Sequence, residues 1–132
     1  MRVLALDYGS AQCGCALCDP SGTLVTPIAA IAHPATRRGL GALERLVRER
    51  EVERVVVGLP LSLRGHDTAQ TRETRAFAER LAGLLGEAVQ VEMLDERLTT
   101  RLAQRTPGAR NTSEHSRAAA HLLEGWLTSR AR

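Results

Sequence analysis

Lysine is absent from this chain: all 18 basic residues are arginine. Aromatic side chains are nearly absent too, with one Trp, one Tyr and one Phe in 132 residues. A base-stacking platform for single-stranded nucleic acid needs several exposed rings, and this composition argues against one. No run approaches the ~18 consecutive apolar residues of a membrane span, and no charged N-terminal region leads into a long apolar stretch. The expectation is a cytoplasmic protein with no membrane partner. Cysteine is scarce, and its 3 copies, Cys13, Cys15 and Cys18, crowd into one short stretch. Neither a second cysteine pair nor a histidine pair is present to complete a zinc set, so core packing is expected. Internal repeats, low-complexity segments and interdomain linkers are also missing. One domain over residues 1–132 is therefore expected, long enough to bury roughly 70% of the surface its unfolded form exposes.

What the chain does carry is a permanent, forked positive charge. Formal net charge is +3 and the sequence pI is near 9.2. Each guanidinium can bind a phosphate through two parallel hydrogen bonds. A nucleotide bias toward arginine codons would give the same composition. The charge balance is thus compatible with nucleic acid without requiring it.

The hydrophobic pattern orders the elements. Val3-Leu4-Ala5-Leu6 is a short, wholly apolar run, which reads as a strand buried on both faces. Gln12 to Cys18 reads as a second strand. Asp19-Pro20-Ser21-Gly22 is a turn signal, and Thr23 to Ala32 returns antiparallel. Thr36 to Glu51 has Leu40, Leu43, Leu46 and Val47 on one helical stripe. Val52 to Leu59 is a second buried strand, parallel to the first and stopped by Pro60. A polar loop, Leu61 to Thr68, leads into a helix from about Ala69 to Leu85, ended by Gly86. Val89 to Leu94 makes the last strand, and a final helix runs from about Ser113 to Ser129. Three antiparallel strands followed by helix–strand–helix–strand–helix give a mixed α/β sheet with helices on both faces.

Carboxylates stand at two strand ends, Asp7 on the first strand and Asp95-Glu96 on the last. In a mixed sheet whose later strands run parallel to the first, these ends share one side, where open α/β sheets place ligands. Converging carboxylates suit hard cations such as Mg²⁺ or Mn²⁺. Two plainer roles compete: Asp7 as a turn former in Asp-Tyr-Gly, and Asp95 and Glu96 as caps of the turn that begins at Arg97.

Four segments resemble one family. Leu6-Asp7-Tyr8-Gly9-Ser10 through Gly14-Cys15-Ala16, Val56-Val57-Gly58-Leu59-Pro60-Leu61, Asp95-Glu96-Arg97-Leu98-Thr99-Thr100 and Ala118-Ala119-Ala120-His121-Leu122-Leu123 fall in order at matching spacings. They are similar to the YqgF/RuvX family, described as candidate Holliday-junction resolvases and pre-16S rRNA processing nucleases. The resemblance covers the whole chain. It implies a ribonuclease-H-like mixed five-stranded sheet, three antiparallel strands then two parallel, and a divalent-metal nuclease site. Asp7 and Glu96 match two of the family's catalytic acids, and Asp95 stands beside the second.

The chain departs from the family at two positions. Gln12 replaces a basic residue, and the third acid of the family, on the final helix, falls on His115. On a helix His115 follows the stripe of Ala119, Leu122 and Trp126, whereas Glu114 lies about 100° round and faces away. His115 is read as a neutral imidazole ligand in place of a carboxylate, against the alternative of an ordinary helix-start residue. The implied catalytic set is Asp7, Glu96 and His115. The implied metal set adds Asp95, with Mn²⁺ preferred over Mg²⁺ because imidazole suits the softer ion.

Arg97, Arg101, Arg105, Arg110 and Arg117 flank this site, and Arg64 and His66 lie at its other rim, as candidates for nucleic-acid contact. Solvated charge is the default for such residues. Two functions compete: a metal-dependent nuclease acting on structured RNA or branched DNA, and a nucleic-acid-binding module that kept the fold but lost catalysis with its third acid. An actin-like ATP site is excluded by length, since it is built between two such domains. The oligomeric state, monomer or homodimer, is left open.

Overall fold

The computed structural model describes residues 1–98 and 114–130. Five strands form one sheet: β1 (Val3–Asp7), β2 (Gln12–Cys18), β3 (Val25–Ala32), β4 (Arg54–Leu59) and β5 (Gln90–Asp95). Their order is β3-β2-β1-β4-β5, so the apolar N-terminal strand is central. β1–β2 and β2–β3 pair antiparallel, whereas β1–β4 and β4–β5 pair parallel. The expected mixed sheet is the observed one. Among the described residues three α-helices cover it: α1 (Arg37–Glu49), α2 (Ala69–Leu85) and α3 (Glu114–Arg130).

The two-residue period of a strand sends alternate side chains of β1 to opposite faces. Leu4, Leu6 and Tyr8 enter a core with Leu40, Leu43 and Val47 of α1 and Phe77 and Leu81 of α2. Val3 and Ala5 enter a second core with Ala119, Leu122, Leu123 and Trp126 of α3. Asp7 continues the Val3–Ala5 series and so ends on the α3 face. The expected α3 stripe of Ala119, Leu122 and Trp126 is buried.

The helix boundaries have local causes. Thr36 caps α1, its hydroxyl accepting from the Gly39 amide at 3.1 Å. Thr68 and Thr71 cap α2 reciprocally, and the Thr71 hydroxyl also donates to the Pro60 carbonyl. This ties the start of α2 to the end of β4. The strands β3 and β4 begin two residues later than the apolar pattern suggests. The Asp19 carboxylate accepts from the amides of Thr23 and Leu24, holding those residues in the turn.

All three cysteines are free and buried, in the two cores rather than at a metal site. None of these thiols should react with an aromatic disulfide reagent in the native protein, and all three should react once denaturant is added. Rapid native titration of any of them would contradict this packing.

Candidate active site

Asp7 and Glu96 meet on the α3 face of the sheet, at the C-terminal ends of the parallel strands. β4 runs between β1 and β5, and its side chains alternate in the same way: Val56 packs toward α3 and Val55 and Val57 toward α1 and α2. Gly58 therefore faces α3, between the two acids. A Cβ there would lie 2.6 Å from Oε1 of Glu96, so only glycine leaves room for that carboxyl group. The glycine in an otherwise branched strand marks the close approach.

The two carboxyls share a hydrogen bond, which requires a proton between them. The pKa of Glu96 is pushed up to about 8, first by burial, then by the hydrogen bond to Asp7 and by the negative charges of Asp7 and Asp95. Two acids forced together in a partly desolvated place cannot both ionise without a compensating cation.

Asp95 does not join this pair. On β5, Glu92 bonds to Trp126 of α3 and Leu94 packs in the α3 core, so Asp95, one residue on, faces the other way. Its carboxylate accepts from the backbone amide of Arg97 at 3.0 Å and from the Arg97 guanidinium at 2.6–3.0 Å. Those bonds hold Asp95 below its ordinary pKa. Arg97 also donates to the Leu63 carbonyl at 3.2 Å, pinning the loop that follows β4. The guanidinium expected on substrate is thus engaged internally.

His115 sits in the first turn of α3 with Nδ1 3.8 Å from Oδ2 of Asp7. Its side chain is half exposed, and Glu114 is almost fully exposed and faces away, as the helical geometry requires. Two residues that sequence reasoning passed over deliver His115 to this place. Gly14 of β2, opposite Asp7 in the register, lies directly under the start of α3, and a side chain there would run into the His115 backbone. Ser116 is wholly buried, and its hydroxyl accepts from the Cys15 amide at 3.2 Å, where β2 bulges. Glycine inside a predicted strand was the available signal. Nothing in the sequence marked Ser116.

Tyr8 holds the turn after Asp7 from behind. It packs on Phe77, with centroids 4.5 Å apart, and donates to the Glu73 carboxylate at 2.9 Å. Burial and that acceptor raise the phenol pKa to about 12. Arg64 and His66 are exposed on the loop after β4, and Arg117 is half-buried, 3.9 Å from Glu114. Arg101, Arg105 and Arg110 lie outside the described residues.

A family model described as RuvX: Holliday junction resolvase matches residues 1–129. The chain belongs to the RuvX family. A relative from Anaeromyxobacter sp. (strain Fw109-5), named as a candidate pre-16S rRNA nuclease, is 40% identical over 137 residues, covering 98% of each chain. A relative of the same name from Myxococcus xanthus is 37% identical, covering 96% of this chain and 87% of its own. Among solved structures, Thermus thermophilus RuvC superposes with a TM-score of 0.62 at 15% identity, covering 99% of this RuvX chain and 96% of that one. At that identity the likeness establishes the shared fold.

Among the described residues, no three carboxylate, imidazole or thiol groups form a cluster able to hold a metal ion. The donors that do converge are nonetheless of the right kind. Two carboxyls sharing a proton fit a small hard cation that is bound by one or two carboxylates and keeps most of its water or takes phosphate oxygens. Asp7 and Glu96 are those two groups, with His115 beside the first.

The Glu96 carboxyl favours its protonated form in the folded chain, so the fold gains stability below pH 4.5 and loses it as pH rises toward about 8. Asp19 and Asp95 are shifted down from 3.8 and act below that window. In chelator the melting temperature should fall between pH 5 and pH 8, and Glu96→Gln should flatten that fall. Equal slopes in both proteins would contradict the shared proton. Gly58→Ala should displace the Glu96 carboxyl, lowering activity by ten-fold or more (an order-of-magnitude expectation for misplaced groups) and abolishing the Glu96-dependent part of that slope.

Proposed function

We propose that this chain is a divalent-cation-dependent nuclease that hydrolyses phosphodiester bonds in structured nucleic acid. Its first candidate substrate is the 5′ end of pre-16S rRNA and its second the Holliday junction, both in the cytoplasm. The observation that carries the reading is the Asp7–Glu96 pair sharing a proton over Gly58, at the strand ends of a ribonuclease-H-like sheet. Family membership and the names of the relatives support the class of reaction.

Asp7, Glu96 and His115 would hold the cation, Mn²⁺ in preference to Mg²⁺. Asp95 acts on that set through its charge alone. A bound cation would stabilise the attacking and leaving oxygens of a phosphodiester displacement. The chain itself supplies position and charge. β1 and β5 fix the two carboxyls, Gly58 gives them space, and the proton between them must leave when a cation is held. Arg64 and Arg117, with Arg101 and Arg110 beyond the described residues, would hold phosphates on either side. Arg97 can do so only by loosening its bonds to Asp95.

The 3.8 Å gap between His115 and Asp7, and the lack of a three-group cluster among the described residues, favour a second reading: a binding module weakened in catalysis. Cleavage of labelled pre-rRNA and four-way-junction substrates separates the two. Wild type should cut in Mn²⁺ and far less in Mg²⁺, and Asp7→Asn and Glu96→Gln should each lose activity by orders of magnitude. His115→Asp restores the negative charge that Mg²⁺ needs and should recover Mg²⁺ activity, whereas His115→Ala should lower Mn²⁺ activity. A fully active Asp7→Asn, free of contaminating nuclease, would overturn the catalytic assignment. An inactive wild type that still binds substrate would establish the binding module.

A further inference from the structure

The sheet edge formed by β3 carries a feature the carboxyl site does not use. Among the described residues β3 is paired on one side only, to β2, and α1 runs beside it. Between them lies a groove of about 410 Å³, with Ala30, Ile31 and Ala32 along one wall and Arg38, Ala42 and Arg45 along the other. Arg38 and Arg45 are two helical turns apart and share a stripe, with the small Ala42 between them. Both are exposed, and among the described residues neither makes an ion pair or a side-chain hydrogen bond. By contrast, Arg2, Arg48, Arg54, Arg75, Arg97 and Arg117 all lie against carboxylates. The stripe turns acidic only at Glu49, one turn beyond Arg45 and outside the groove.

The mouth of the groove is held by a strained residue. His33 has φ of 44°, a left-handed conformation that glycine adopts at lower cost. Its carbonyl accepts from the Thr36 amide at 3.1 Å and the Thr36 hydroxyl at 2.7 Å, which locks the turn into α1. The imidazole is left exposed beside the groove. The pairing of Gln12 with Ala32, and of Asp7 with Gly14, puts this mouth at the same end of the sheet as the carboxyl pair. Two strand spacings along the sheet, roughly 10 Å, separate β3 from β1. The groove lies on the α1 face, opposite the α3 face that carries the two acids, so a nucleic-acid strand touching both must cross the end of the sheet. The surface between them, Ser10-Ala11-Gln12, is exposed and carries no acidic side chain.

We infer that the groove between β3 and α1 is a second contact for nucleic-acid backbone, in which His33, Arg38 and Arg45 hold the flank of the strand whose scissile phosphate lies at Asp7 and Glu96. Unpaired arginines on a groove too narrow in aromatic content to stack bases suit phosphates, which need charge and no ring. The inference rests on the nuclease reading for the identity of its ligand.

The test uses the full chain carrying Asp7→Asn, in chelator, so that binding is read without cleavage. Anisotropy is measured on fluorescein-labelled RNA hairpins, one with a short stem that fills only the carboxyl end of the sheet, one with a long stem. Adding Arg38→Ala and Arg45→Ala should weaken the long hairpin about ten-fold and make its log–log salt slope shallower by about one to two, one unit or less per lost phosphate contact. The short hairpin should bind as before, and the melting temperature should not change, since both side chains are exposed. Unchanged affinity and slope on the long hairpin would overturn the groove and leave the nuclease reading standing. Equal losses on both hairpins would also overturn it, as a general charge effect. Failure of the Asp7→Asn chain to bind either hairpin would overturn both readings.

Discussion

Two carboxyl groups pressed against each other at the end of a buried parallel sheet constrain everything around them. Burial and the neighbouring Asp7 carboxylate keep Glu96 protonated well above the usual carboxylate range in the absence of a cation. The fold tolerates the arrangement because the cost is local, while the two cores that flank β1 supply the favourable burial. The central strand, apolar up to its last residue, is thus the support on which a destabilised pair can stand. That division between a stabilising body and a strained end is common at functional sites.

The geometry around the pair follows from small side chains rather than from the acids. Gly58 makes room for one carboxyl, and Gly14 lets the start of α3 settle onto β2 with His115 in tow. The Ser116 hydroxyl accepts from the Cys15 amide beside the register shift in β2. The helix is therefore fixed at its first turn by contacts with the strand. The position of His115 is a consequence of backbone packing.

The strand order and the convergence of Asp7 with Glu96 were legible because each rests on a period-two pattern and a parallel pairing. α2 was legible from about Ala69 to Leu85, its C-terminal end being marked by Gly86. Asp95 was grouped with Glu96, but it follows Leu94, which packs toward α3, so at the last position of β5 it faces the other side. Arg97 was read as a candidate nucleic-acid contact because the carbonyl of Leu63, its distant partner, is invisible in sequence. Ser116 and the arginine-lined edge at β3 depend on contacts between remote segments, which composition and periodicity do not encode.

The Arg97 fork has one more consequence. A single guanidinium joins the end of β5, through Asp95, to the loop after β4, through Leu63. An ammonium group concentrates its donors at one point and could not span both partners with the same planarity. The absence of lysine thus acquires, at this position, a geometric reading beside the compositional one. An anion that captured the fork would do so by exchange, trading away Asp95 and freeing the loop in the same event. Occupancy of that corner and rigidity of the loop would then be two views of one equilibrium.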